Sequence, residues 1–253
     1  MAERILKNIS SRGLKNAVRG NEYRKEASIS YGILIGGYVL FQILTAAGLI
    51  GHNLQGQFVP ICVYISLAVS LNLVVGISGE LSLGHAGFMA VGAFSGILMS
   101  RILGQSMSFE PAIIIISMLF GALIAAIAGF IIGIPILGLR GDYLAIVTLA
   151  FGEILRNVIN NLYVGFDADG LRIALSEEAL ELADGGRMIL TGPRGTTGIT
   201  TIATFTAGFL LILFTLFVVL NLVNSKEGRA IKAIRDNRIA AESVGIHVMS
   251  FKL

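Results

Sequence analysis

The chain has 253 residues, 55% of them hydrophobic and 14% charged, with a mean hydropathy of +0.81. That balance excludes an ordinary soluble globule and places the chain among polytopic helical membrane proteins. The net charge of +3 is no nucleic-acid signal, because the placement of the charges carries the information.

Residues 1–30 hold seven Lys/Arg and three acids and read as a basic segment, either a surface helix against anionic lipid or a solvated topology signal. Six apolar stretches follow, at 31–50, 58–77, 86–103, 111–137, 143–159 with its flanks, and 201–223. Each is long enough to cross a hydrocarbon core of about 30 Å. The 31–50 stretch reads as a retained span, not a cleaved signal peptide. Cys62, the single cysteine, lies in the second stretch, so no intrachain disulfide forms and a small buried apolar role is expected.

Between the second and third stretches runs Gly79-Glu80-Leu81-Ser82-Leu83-Gly84-His85-Ala86-Gly87-Phe88. Polar side chains and bent backbone are costly in a bilayer. The break therefore either turns at the membrane surface or lines something polar. His85 either faces a polar pathway or bonds a backbone carbonyl exposed by the break. In the fourth stretch Gly121, Ala125, Gly129 and Gly133 recur at four-residue spacing, and Gly92 and Gly96 repeat the device in the third. Such stripes let two membrane helices approach closely. Pro135 and Gly138 end the fourth stretch, and Arg140-Gly141-Asp142 forms a polar turn. Gly79-Glu80 and Gly141-Asp142 occupy matching places, which can mark an internal repeat around a transport site.

Glu153 lies about eleven residues into the helix that begins at Asp142, roughly 16 Å along its axis. A carboxylate at that depth needs a partner or water. It either pairs with His85 or Arg156 or takes part in a pathway or gate. Ser82 and Thr148 offer hydroxyls to a polar solute or to the preceding helical turn. Glu80 and Asp142 read as turn residues. His85, Glu153 and Glu80 are too few and too scattered for a metal centre or a nucleophilic catalytic site.

The loop 161–200 holds three Arg and six acids, whereas 224–253 holds six Lys/Arg and three acids. By the positive-inside rule both termini are cytoplasmic and the loop is outside, as six spans require. Ser176 is a fitting cap for a short helix over 177–183, and Thr191-Gly192-Pro193-Arg194-Gly195 reads as turns. Beyond the last span, Ala230, Ala233, Ile234, Asn237, Ala241 and Val244 recur at helical spacing, and Gly245 is a good stop. The spacing predicts one Ala-rich amphipathic helix suited to docking in a protein groove. The expected fold is an all-α polytopic bundle in three parts: a basic segment 1–30, a membrane domain 31–223 and a cytoplasmic segment 224–253.

Three passages together resemble one family. They are Leu81-Ser82-Leu83-Gly84-His85-Ala86-Gly87-Phe88, then 141–154 beginning Gly141-Asp142-Tyr143-Leu144, then the helix 228–245. They are similar to the LivM-type membrane permease of ABC importers for branched-chain amino acids, in order from about residue 58 to 253. Gly192-Pro193-Arg194-Gly195 resembles that family's Gly-Pro-x-Gly turn. The resemblance implies a plasma-membrane, multi-pass, non-enzymatic subunit working by alternating access on leucine, isoleucine or valine. Its implied partners are a homologous second permease, two cytoplasmic ATPase subunits that bind ATP-Mg, an extracytoplasmic solute-binding protein and membrane lipid, with no nucleic acid.

No cofactor is expected in this chain, and it has no Gly-x-x-x-x-Gly-Lys-Ser/Thr phosphate loop. The resemblance assigns ATPase coupling to Gly228, Arg229, Ala233, Arg235, Ala240, Ala241, Glu242 and Gly245. Ser82, His85, Thr148 and Glu153 are the candidates for the substrate pathway. Members of the family continue into further spans after the coupling helix, so the chain reads as a truncated product. Its loop through 164–189 is longer than the family pattern. Permeases for urea or short-chain amides look similar and stay open as an alternative. So does a proton-coupled transporter or channel that uses His85 and Glu153 as a relay.

Overall fold

The computed structural model describes residues 25, 27–107, 109–136, 138–139, 141–167, 170–176, 187–196 and 203–252. Most of the basic segment 1–30 and the expected helix 177–183 lie outside the described residues. The helices are α1 (Ala27–Ala46), α2 (His52–Asn72), α3 (His85–Ser106), α4 (Glu110–Ile136), α5 (Asp142–Asn160) and α6 (Phe205–Asn224). After them come the short helices α7 (Lys226–Asp236), α8 (Arg238–Ser243) and α9 (Val248–Lys252).

Among the described residues five helices, α1 to α4 and α6, are long and apolar enough to cross a membrane. Their exposed faces carry large apolar side chains such as Ile33, Ile43, Leu119, Ile131 and Phe214. A helix apolar all round belongs in lipid, where its backbone bonds are satisfied internally. The expected fifth span forms as α5, a 19-residue helix, but Asp142, Glu153 and Arg156 make it the most amphipathic of the long helices.

The chain divides into two compact units, one of residues 1–69 with 204–222 and one of 70–203 with 223–253. In the first, α1, most of α2 and α6 meet through aromatic rings. Tyr38 stacks on Phe209 with ring centroids 4.2 Å apart, and Phe58 packs on Phe205 at 5.0 Å. Gly208 lies against Cys62, so close that a Cβ there would sit 2.9 Å from the Cys62 Cβ. Cys62 is buried and unpaired with any other cysteine, as expected from its apolar surroundings.

In the second unit, α3 and α4 pack along the predicted small-residue stripe. A Cβ on Gly121 would lie 2.5 Å from the Gly92 carbonyl oxygen, and one on Gly96 would lie 3.2 Å from the Ser117 carbonyl oxygen. Only missing side chains permit that approach, which replaces a hydrophobic driving force where the solvent is lipid. Ile132, Ile136 and Leu144 are buried together where α4 and α5 meet, with Phe88 of α3 against them.

Two features depart from the sequence reading, the first from its all-α fold class. The loop after α5 folds into a three-stranded antiparallel sheet of β1 (Tyr163–Asp167), β2 (Gly170–Ala174) and β3 (Arg187–Thr191), in the order β2-β1-β3. Val164 and Leu190, paired across β1 and β3, are fully buried, and the Asp167 carboxylate is buried in a 2.8 Å ion pair with Arg172. The strands are five residues each, too short for apolar alternation to stand out beside turn and charge signals. The second departure is in the 228–245 segment, where two helices replace the one expected. Asn237, with φ −157° and ψ 104°, leaves the helical region, and its side-chain oxygen accepts the Ala240 N–H at 3.0 Å. An Asn that caps its own downstream helix favours a break over continuation.

Candidate functional site

The polar break before α3 is shaped first by the end of α2. Over Leu73–Ser78 that helix widens into a π-helical turn, closed by Gly79 in the left-handed region at φ 73°. The Gly79 and Glu80 N–H groups both turn back to the Val74 carbonyl. Glycine at position 76 leaves room for the Asn72 side-chain oxygen, which a Cβ there would displace. Wide turns of this kind are rare and concentrate at functional sites.

The stretch 79–84 then runs without regular structure onto the flank of α5. The Thr148 hydroxyl accepts the Leu83 N–H at 3.1 Å and donates to the Ala145 carbonyl at 3.0 Å. A Cβ on Gly84 would sit 2.5 Å from the Thr148 carbonyl oxygen, and one on Gly87 would sit 3.0 Å from the Gly152 Cα. Bare backbone therefore meets bare backbone where α3 starts and α5 passes. His85, at the first turn of α3, lies 3.2 Å from the Ser70 hydroxyl of α2. Its partner is thus a side chain, in place of the backbone carbonyl considered from the sequence.

The structure joins these pathway candidates only partly. Thr148 is buried at the crossing, and Ser82 is half-buried in the stretch beside it. Glu153 stands apart, exposed and 3.3 Å from Arg156 one turn along α5. Of the two partners considered for it, the Arg156 pair is the one that forms, and it leaves Glu153 and His85 in separate interactions.

The second part of the site is the helix pair α7–α8. Ser225 caps α7 by accepting the Gly228 N–H at 3.0 Å. Glu227 beside it is held below the usual carboxylate range, first by its backbone hydrogen bond and then by the Ser225 side chain. Ile234 of α7, Ala241 of α8 and Val248 of α9 are buried against one another. The stop at Gly245 forms as expected, with φ 87°. Arg238 pairs with Glu242 at 2.9 Å along α8.

Arg235 reaches from α7 to α2. Its Nη1 donates to the Gly76 carbonyl oxygen at 3.0 Å, while Nε and Nη2 both donate to one oxygen of Asp236, at 3.1 and 3.0 Å. Beside it lies an open cleft of about 400 Å³. Both Gly-acid pairs, Gly79-Glu80 and Gly141-Asp142, line that cleft opposite Arg235 and Arg238. Gly79 and Gly141 are alike in having positive φ.

Among the coupling candidates, Gly228 and Ala241 are buried within the chain, whereas Arg229, Ala233, Arg235, Ala240, Glu242 and Gly245 keep exposed surface. Ala241 is therefore part of the internal helix packing and not a free docking face. Ile239, not singled out from the sequence, is 80% exposed, and Val244, expected on the apolar face of one long helix, is 75% exposed. An Ile next to Arg238 in a charged segment is a legible signal, but helical spacing over one long helix had placed the apolar face elsewhere.

A family model described as the permease component of the branched-chain amino acid transport system matches residues 54–253. The high-affinity branched-chain amino acid transport system permease protein LivM of Escherichia coli K12 is 36% identical over 201 residues, covering 76% of this chain and 46% of that protein. The LivM protein of Salmonella typhimurium LT2 is 35% identical over the same length and coverage. The chain thus spans about half the length of the curated relatives it matches. No solved structure matches it significantly. The polar break, α3 to α6 and the α7–α8 pair all fall inside the matched region, and this multi-pass chain of the cell membrane belongs to the branched-chain amino acid transport permease family.

Proposed function

We propose that the chain belongs to a membrane-embedded permease subunit that carries leucine, isoleucine or valine across the cell membrane by ATP-driven alternating access. The observation that carries this reading is the extent of the family match, which runs unbroken from α2 through the α7–α8 pair. The names of both relatives, each a branched-chain amino acid permease protein, support the substrate class. ATP is hydrolysed in a partner, since the chain carries no phosphate loop.

The partners are a homologous permease, two ATPase subunits and an extracytoplasmic binding protein. Exposed Ile239 and Val244 on a charged helix pair suit docking into an apolar groove of the ATPase. In this reading α5 is the fifth of six spans, and both termini are cytoplasmic, as the charge asymmetry asks. Thr148 and His85 already have partners within the chain, which favours a polar path with no tight dedicated site.

The test is uptake of labelled leucine into proteoliposomes that hold the full-length permease with its sister permease, ATPases and binding protein. Uptake that requires ATP, ignores a protonophore and is competed by isoleucine and valine supports the reading. Uptake that collapses with the proton gradient and ignores ATP would move the His85–Glu153 relay to the front. Competition by urea or short-chain amides would reassign the substrate.

A further inference from the structure

We propose that Arg235 is a positioning residue that clasps the π-helical end of α2 to α7, so that these two elements move as one body. The proposal rests on the importer reading, and it changes the part expected of Arg235. That residue was expected to act toward a partner ATPase. Its guanidinium also bonds within the chain, to Gly76 and Asp236.

Three independent features build the clasp. The first is the acceptor. Carbonyls in the last turn of a helix lack an intrahelical donor and carry partial negative charge. At the end of α2 the Val74 carbonyl takes both returning N–H groups, and the Gly76 carbonyl takes the Arg235 cation. The second is orientation. Asp236 holds Nε and Nη2 at one oxygen, which leaves Nη1 aimed at Gly76. A Lys ammonium, a point charge without a planar fork, cannot fill both roles in this geometry. The third is the seat. A Cβ on Gly79 would fall 2.6 Å from the Arg235 Cγ and 3.0 Å from its Cδ, so the arginine stem lies where glycine leaves room.

The mechanical consequence follows from the π turn. Its hydrogen bonds span five residues where those of the α-helix around it span four, so it is a local irregularity in the backbone ladder. A force on α7 reaches α2 at that irregularity, just ahead of the 79–84 stretch that touches Thr148. Movement of the cytoplasmic helix pair is thereby delivered to the polar break and not dissipated in a loose side chain.

The test uses the assembled full-length transporter with Arg235→Gln, Arg235→Lys and Gly79→Ala. Two readouts are taken: amide hydrogen exchange over 73–80, and ATP hydrolysed per leucine taken up. The clasp predicts exchange over 73–80 about tenfold faster in all three variants, the order expected for losing a hydrogen bond to a charged group. Exchange in α3 and α4 stays unchanged, complex yield is normal, and ATP consumed per leucine rises. Unchanged exchange over 73–80 in Arg235→Gln overturns the clasp. Faster exchange with an unchanged ATP-to-leucine ratio overturns the positioning role, because a merely structural contact lowers both rates together. Failure of the importer reading shows separately, as no ATP-dependent uptake by the unmodified complex, and the exchange readout then decides the clasp alone.

Discussion

Thr148 separates a structural latch from a pathway residue, and its substitution by Val tests which it is. The hydroxyl accepts the Leu83 N–H at 3.1 Å and donates to Ala145 at 3.0 Å. Thr148→Val keeps the branched shape and removes only that group. Ala145 lies inside α5, where the helical ladder already uses its carbonyl, so little is lost there. The Leu83 N–H belongs to a stretch without regular structure and is left without its acceptor. An unsatisfied donor away from water costs about 1–3 kcal/mol. At about 2–4 °C per kcal/mol for a chain of this size, the thermal midpoint falls by roughly 2–12 °C. Thr148→Ser retains the oxygen and is expected within about 1 kcal/mol of the original. The assay is thermal unfolding of the purified protein in detergent, run beside leucine uptake. If Thr148→Val melts with the unmodified protein while leucine affinity falls, the latch reasoning is refuted and Thr148 returns to the pathway.

Gly121→Leu places side-chain carbon where the Gly92 carbonyl stands 2.5 Å from the Cβ position. Overpacking there is expected to cost about 1–3 kcal/mol or more, read as a lowered midpoint, whereas the same change at Gly104, which has open space, should be tolerated. Ala241→Trp and Ile239→Asp are expected to fail differently. The first unseats the buried Ile234 and Val248 cluster and lowers thermal stability; the second leaves stability unchanged and reduces co-purification with the ATPase. A stable Ala241→Trp protein that loses only the ATPase would reverse the two assignments. Glu227 has a depressed pKa in the folded chain, so its support of α7 is complete above the ordinary Glu value and is lost as pH falls through the depressed one. Exchange of the Gly228 amide should rise only in that acid range, and Glu227→Gln should remove the dependence.

Hydropathy and spacing were enough to place the long apolar helices, the Gly121 stripe and the stop at Gly245. Each of those is local: a span needs apolar residues in a row, a stripe needs small residues four apart, and a left-handed cap needs glycine. The charged residues of α5 were legible too, and they mark it off from the other five long helices. The sheet after α5 was not legible, because strand pairing joins residues such as Val164 and Leu190 that no local pattern connects. Nor was the split at Asn237, where an amide side chain competes with the helix it interrupts. With that split Ala241 is buried and Ile239 is exposed, the reverse of what one continuous helix predicts. The clasp lay furthest from sequence reasoning. Arg235 and Gly76 stand 159 positions apart, and no composition or periodicity links a guanidinium to one carbonyl at the end of a π turn. Local patterning thus decides which segments are apolar enough to cross a membrane, whereas side-chain contacts between distant segments decide how the α7–α8 pair is tied to them.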